Sequence, residues 1–396
     1  MAAKSSNRVE ALTGARALAG LYILFFHFGR PLFARAPAWA ETLRGSGWAA
    51  TSYFIMLSGF VLTIAYGPKL ADGTLGERRF LAARVARLYP CYLLALVVLL
   101  PMALVHRWGA LSATFGDASM KAKIVTGLAH ATMTHVLVPR LIPSWNLPGW
   151  CVSIEMWFYV LFPVAVAWML TRRGRTLLAV LAGTWAVALA ISIAYTVLQP
   201  DGFRPDHDSA APWLTLFKFT PYTRWPEFFF GCALGALWTH LPAERRGRRW
   251  ATPLLVGGVV ASLAVLVAGA HVPYTLLHNG ALLPCYAAIV WGLMLGRGPV
   301  HRVLSVRPLT ALGESSYALY TLQLPLMSWL LVAGGRTPQA VDAPFTALAM
   351  LLVIALAIAV HFAFELPAQT WLRPHLERWV ARVPAPPLLP KRAVAG

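Results

Sequence analysis

Two residues of the first apolar run carry the first chemistry that the chain offers. Arg16 and His27 bracket the stretch RALAGLYILFFH, and the ten residues between them are all apolar or glycine. On a helix, eleven steps of about 100° exceed three full turns by only about 20°, so both side chains point to one side. Their separation along the axis is about 16 Å, roughly half the hydrocarbon thickness of a bilayer. The spacing predicts a guanidinium near one membrane surface and a titratable ring near mid-membrane, on one line. An imidazole, with an ordinary pKa of about 6.5, exchanges a proton near neutral pH. An ionisable group at that depth marks either a functional site or a core histidine satisfied by a neighbouring hydroxyl. Both readings stand open on this helix alone.

A second set lies in ERRFLAARVARLYP, where Arg84 and Arg87 are three apart and share a helix face, with Arg78 and Arg79 one to two turns earlier. Guanidinium groups take phosphate oxygens through paired hydrogen bonds, so such a cluster at a membrane mouth suits a polyphosphorylated ligand. Basic residues there are also what topology and anionic lipid headgroups demand. A third set is PSWNLPGWCVSIEMWFYVLFP, in which Glu155 sits among Trp145, Trp150, Trp157 and Tyr159. A carboxylate at that position must be paired, hydrated or protonated, and it reads equally as a catalytic group or as a structural partner. The aromatics suit an interfacial belt as well as a binding wall. In GESSYALYTLQLP, Tyr317, Tyr320 and Gln323 recur every three residues as a polar stripe, lining a channel or hydrogen-bonding between helices. Arg224 and Glu227 are spaced to pair on one helix face, and Glu314 and Glu365 fall near helix ends as caps or loop partners. No HExxH, G-x-S-x-G or Walker loop is present, and His130 and His135, five apart, are expected to face different ways.

These residues must be positioned by membrane helices. Of 396 residues, 58% are hydrophobic and 12% charged, with mean hydropathy +0.61, which excludes an ordinary soluble domain. Apolar runs at about 14–33, 47–66, 80–105, 149–170, 176–198, 224–241, 251–270, 276–296, 311–333 and 344–366 predict an all-α integral membrane protein of about ten spans. Placing the N-terminus in the cytoplasm puts 23 of the 34 Lys and Arg on the inner side, and both termini become cytoplasmic. The net charge of +19 therefore reflects topology and not nucleic-acid binding, because the basic residues sit in short clusters between apolar runs. The stretch around TGLAHATMTHVLV, between the third and fourth spans, is expected as a re-entrant or surface element roofing a cavity. Cys91, Cys151, Cys232 and Cys285 lack ligand spacing and read as small buried hydrophobes, with no metal site. The first run resembles a signal peptide but is expected to stay as an uncleaved span.

In this order the motifs resemble the acyltransferase 3 family of multispan membrane O-acyltransferases. The matching pieces are R-x10-H (Arg16, His27), FIMLSGFVL (Phe54 to Leu62), RVARLYP (Arg84, Arg87) and W-x-L…S-x-E-x-x-F-Y (Trp145, Leu147, Ser153, Glu155, Phe158, Tyr159). They continue with R-x-x-x-F-x-x-G-x-x-x-G (Arg224, Phe228, Gly231, Gly235), LGESSYALY and FELPAQ, over about residues 8 to 372. The resemblance implies transfer of an acyl group, usually acetyl, from cytoplasmic acyl-CoA to a hydroxyl of a carbohydrate, glycolipid or related acceptor, with no bound cofactor. It implies His27 as the catalytic residue, Arg16 as required, and Arg84 and Arg87 as holding the CoA nucleotide, with Arg78 and Arg79 nearby. Glu155 is a further catalytic candidate, and Trp145, Trp150, Tyr159, Tyr320 and Gln323 are expected to line the acceptor cavity. Many members have histidine where this chain has Gln323. A membrane acyltransferase domain over 1–372, a basic proline-rich cytoplasmic tail over 373–396, no appended hydrolase-like domain and a bacterial inner-membrane location complete the expectation. A transporter or flippase of a polar lipid or sugar is the rival reading, and a lipid-binding subunit of a synthesis complex is a third.

Overall fold

The computed structural model describes residues 3–104, 119–242, 247–296 and 298–382. Helix is the only regular structure among them, as expected where lipid offers the backbone no hydrogen-bond partners. The long helices are α1 (Ala3–Phe28), α2 (Ala50–Ala71), α3 (Glu77–Leu104), α4 (Gly149–Leu170), α5 (Arg175–Leu198), α6 (Pro221–His240), α7 (Ala251–Val267), α8 (Leu283–Leu295), α9 (Ser316–Ala333), α10 (Ala343–Val360) and α11 (Leu366–Arg382). Nine helical stretches among the described residues are long and apolar enough to cross a membrane. The expected span at 224–241 is not one of them. It forms α6, but Arg224, Pro226 and Glu227 stand in its first third and lower its hydropathy.

Burial explains how α6 tolerates those charges. Fourteen of its residues are buried, and its small residues let α2 approach. A Cβ at Gly231 would collide with the carbonyl of Met56, and one at Gly59 with the carbonyl of Phe228. This is the close small-residue packing that membrane helices use in place of a hydrophobic driving force. Helix α10 shows the opposite pattern. Thr346, Ala349, Met350, Val353 and Ala357 form one buried stripe, while Leu348, Leu351 and Leu352 are exposed. An exposed leucine face of that extent fits a lipid surface, not water.

Contacts between helix ends define one end of the bundle. The carbonyl of Thr13 lies against Gly313, Arg16 Nη2 donates to Ser316 Oγ at 3.0 Å, Arg84 Nη2 donates to Tyr66 Oη at 2.7 Å, and Arg87 pairs with Glu365 at 3.2 Å. The starts of α1, α3 and α9 therefore meet the ends of α2 and α10. We refer to this as the arginine end.

Between α3 and α4 the described chain forms a helix, Met120–Ala131, and short 3-10 turns at His135–Leu137 and Pro139–Ser144. Twelve residues span about 18 Å, too short to cross, in keeping with a surface or re-entrant element. One expectation fails here. His130 and His135 do not face apart but stack, ring centroids 3.9 Å apart and planes within 12°. Helical spacing does not reach His135, because the helix ends at Ala131 and Met133 takes a left-handed backbone, φ 58°, that turns the chain back. At the other end of the chain, the expected boundary at 372 falls inside α11, and residues 383–396 of the proline-rich tail lie outside the described residues.

Candidate active site

Helix α1 ends at Phe28, where Gly29 and Pro31 interrupt it, five residues before the expected end of the first span at 33. Arg16 and His27 lie about 16 Å apart along it, with His27 one residue from its end. The helix end is braced by a residue the sequence reading passed over. Arg44, buried, donates from Nη1 to the carbonyl of Phe26 at 2.8 Å and pairs with Glu41 at 2.7 Å. It thus satisfies a last-turn carbonyl of α1 with a positive charge, the favourable sign at a helix C-terminus. The signal for it, a lone Arg in a short loop beside Glu41, cannot be separated from an ordinary surface pair without the fold.

Arg16 opens on a cavity of about 190 Å³ at the arginine end, which Arg84, Arg87, Glu155, Tyr159 and Tyr320 also line. Five helices converge on it: α1 through Arg16, α2 through Phe54, Ser58 and Val61, α3 through the two arginines, α4 through Glu155 and Tyr159, and α9 through Tyr320. The arginines are held in different ways. Arg84 bonds Tyr66 and lies over its ring, 4.8 Å from the centroid. Arg87 is anchored to the buried carboxylate of Glu365 and to Gln369 Oε1 at 3.1 Å. Glu365 in turn lies 3.0 Å from His361 Nδ1, within a single π-helical turn, His361–Glu365, inserted between α10 and α11. Such turns recur at functional sites because they re-aim side chains that regular helix would separate. Glu155 is not paired with a cation at contact distance; it accepts from Tyr159 Oη at 2.5 Å, and that hydroxyl also lies 3.1 Å from Ser58 Oγ. Three guanidinium groups and one carboxyl group thus line the same small space, an excess of positive charge.

His27 is exposed and opens on a second, larger cavity of about 1370 Å³ at the opposite end, lined also by Arg30, Glu41, Trp145, Leu147, Leu324, Ser328 and Phe345. The ring lies 4.9 Å from that of Phe26 and 5.9 Å from that of Phe28, centroid to centroid, and keeps an edge open to the cavity. The remaining predicted residues divide. Trp145 joins the His27 cavity, while Tyr159 and Tyr320 join the arginine cavity. Arg79 is exposed, and neither it nor Arg78 is among the lining residues of either cavity. Trp150 is buried and structural. Its ring lies 5.7 Å from the Arg224 guanidinium and 5.1 Å from Phe219. Gln323 is buried between the cavities, and Tyr317 combines both roles foreseen for the stripe, lining the arginine cavity while donating to the carbonyl of Leu88 at 2.5 Å.

The Arg224 and Glu227 pair, spaced for one helix face, is fully buried with a 2.9 Å contact. Arg224 also donates to the carbonyl of His278 at 2.9 Å, to Ser52 Oγ at 3.1 Å and to Asn279 Oδ1. It ties α6, α2 and the turn after Tyr274–His278 together, which explains how a charge can sit in the most buried helix.

Residues 9–364 match the family described as an acyltransferase domain. The O-acetyltransferase OatA of Staphylococcus aureus is 21% identical over 339 residues, 82% of this chain and 51% of its own. The Bacillus subtilis protein YrhL, provisionally named a peptidoglycan O-acetyltransferase, is 25% identical over 339 residues, 81% of this chain and 48% of its own. A Rhizobium radiobacter protein named Protein 2 in picA locus is 42% identical over 99 residues, 25% of this chain and 48% of its own. The chain spans about half the length of these curated relatives, and no solved structure matches it. With residues 9–364 matched, the chain belongs to the acyltransferase 3 family.

Proposed function

We propose that this protein transfers an acyl group, acetyl in the first instance, from acyl-CoA to a hydroxyl of a carbohydrate or glycolipid at the far side of the membrane. The observation that carries the reading is that α1 presents Arg16 to the arginine cavity and His27 to the larger cavity. CoA phosphates dock on Arg84 and Arg87, with Arg16 behind them, and the exposed Arg79 with Arg78 adds attraction at the mouth. The pantetheine arm covers the distance along α1, about 16 Å, and delivers the thioester to His27. There the imidazole takes the proton from the acceptor hydroxyl as its oxygen attacks the thioester carbon. The C–O bond forms, the C–S bond breaks, and the CoA thiolate leaves and recovers a proton. Transfer through an acyl-imidazole is the two-step variant of the same chemistry. Glu155, beside the arginines, serves to orient or balance charge at the entrance. The names of the relatives support a cell-wall carbohydrate as the acceptor.

For the topology we propose ten spans, with α6 counted as a crossing. The Arg16 contact with Ser316, at the start of α9, supports an even number of crossings from α1 to α8, which would leave both termini on one side. The basic loops at the arginine end support the cytoplasm as that side, as in a bacterial inner membrane. The test is to incubate the purified protein with radiolabelled acetyl-CoA and candidate glycans. Label on the acceptor with release of free CoA is expected, and binding without label transfer would return the chain to the transporter reading.

A further inference from the structure

The two cavities are separated by about one turn of α9, since Tyr320 lines the first and Leu324 the second. Two carboxamides occupy that boundary. Asn146 is fully buried and Gln323 is 1% exposed. The neighbours of Asn146, Trp145 and Leu147, line the His27 cavity. Asn146 Nδ2 donates to the carbonyl of Thr321 at 3.0 Å, a carbonyl left over because Pro325, four residues on, has no N–H to give it. Gln323 Nε2 donates to the adjacent carbonyl, Tyr320, at 3.2 Å. A carbonyl only accepts, so the orientation of each amide is fixed by its partner. What remains is Asn146 Oδ1 and Gln323 Oε1, both buried and both without a hydrogen-bond partner among the described residues. Unpaired acceptors of this kind are rare in native interiors and point to a donor supplied from outside the chain.

We propose that these two amide oxygens are a docking point for the amide N–H groups of the pantetheine arm as it passes from the arginine cavity to His27. The inference rests on the acyl-CoA reading and adds residues to it that select the arm by its hydrogen-bonding pattern. Pantetheine carries two amide N–H donors between its phosphate and its thioester. They are the chemistry that two acceptors, anchored on the consecutive carbonyls of Tyr320 and Thr321 where α9 passes from one cavity to the other, would recognise. Hydroxyl groups of the acceptor are the competing donors, and they would enter from the His27 cavity.

The experiment is ligand binding to the full chain in detergent by titration calorimetry, with acetyl-CoA and with adenosine 3′,5′-bisphosphate, the nucleotide part without the arm. Gln323→Met keeps the length and removes the acceptor. It is expected to weaken acetyl-CoA about three- to tenfold, the scale of one amide hydrogen bond, and to leave the nucleotide unchanged. Gln323→Glu, which keeps an oxygen, is expected to bind acetyl-CoA more tightly than Gln323→Met. Equal weakening of both ligands would mean a packing role, and a raised KM for the acceptor with unchanged acetyl-CoA affinity would assign the pair to the acceptor; either overturns the proposal. The unaltered protein provides a second measurement that needs no variant. S-acetylpantetheine should inhibit better than an alkyl thioacetate of equal length without amides, and equal inhibition would overturn the proposal. If the unaltered protein binds neither acetyl-CoA nor the nucleotide, the acyl-CoA reading itself falls. If it binds both, and Gln323→Met binds acetyl-CoA as well as the parent, only the role of the amides falls.

Discussion

Arg16 and His27 share one face of α1 but open on different cavities, at opposite ends of the bundle. The distance between them is the distance a group must travel to cross from the charged site to the imidazole. Because His27 is exposed to its cavity, His27→Ala removes chemistry without opening a packing defect. Acetyl transfer is expected to fall by about 10²- to 10⁴-fold, with membrane abundance and melting temperature close to the parent. Turnover measured beside abundance checks this, and a variant that keeps its turnover would take the imidazole out of the reaction.

The arginines of the R-x-x-R motif are expected to separate. Arg87→Ala leaves Glu365, fully buried, without the guanidinium 3.2 Å away, a loss on the order of 3–5 kcal/mol when a buried pair is broken on one side. Arg84→Ala loses a tyrosine bond and a cation–π contact and should cost about 1 kcal/mol. Thermal unfolding in detergent should rank Arg87→Ala well below Arg84→Ala. Adding Glu365→Gln to Arg87→Ala should recover part of the difference. Affinity for acyl-CoA is therefore best read in the Arg84 variant, where stability interferes least.

How far the site could be read in advance depended on whether each relation was local. Arg16, His27, Arg84 and Arg87 follow one helix each, so periodicity alone aligned them. The Arg224 and Glu227 pair was legible for the same reason. Glu365 with Arg87, Arg44 with the end of α1, and Asn146 with Thr321 join segments distant in sequence, and no spacing rule reaches across them. The end of the first helix was placed five residues too far on because hydropathy locates the centre of a span better than its ends, and Gly29 with Pro31 ended this one early. The stacking of His130 on His135 was missed because a helical rule was applied across a left-handed residue.

Arg224 is expected to be the least replaceable residue outside the cavities. Removing it would leave the fully buried Glu227 without its guanidinium partner and would take one donor from Ser52 Oγ and one of two from the carbonyl of His278, which keeps the Ser52 hydroxyl. Arg224→Ala should cost on the order of 3–5 kcal/mol. Arg224→Lys should restore little, because an ammonium cannot reproduce the fork that reaches α2 and the Asn279 turn together. Fluorescence size-exclusion of tagged protein would detect this as loss of the monodisperse peak in both variants. A normal peak for Arg224→Ala would mean that the network is dispensable.

The stacked pair gives the fold an acid limit. Burial pushes the His130 imidazole down to about 4 and the His135 imidazole down to about 2, the latter also through repulsion from His130. His130 Nε2 lies 3.0 Å from the carbonyl of Leu141, which requires a proton on that nitrogen, whereas neither nitrogen of His135 makes a well-formed hydrogen bond among the described residues. In the unfolded chain both rings take a proton near pH 6.5. Between pH 6.5 and about 4 the unfolded state therefore binds more protons than the folded one, and stability rises with pH. It is complete above 6.5 and is lost on acidification, by an amount on the order of a few kcal/mol at pH 4. Replacing His135 by phenylalanine keeps a flat ring against His130 and removes both nitrogens. Its melting temperature should exceed that of the parent at pH 5 and vary less between pH 7 and pH 5. An unchanged slope would place the acid sensitivity elsewhere in the bundle.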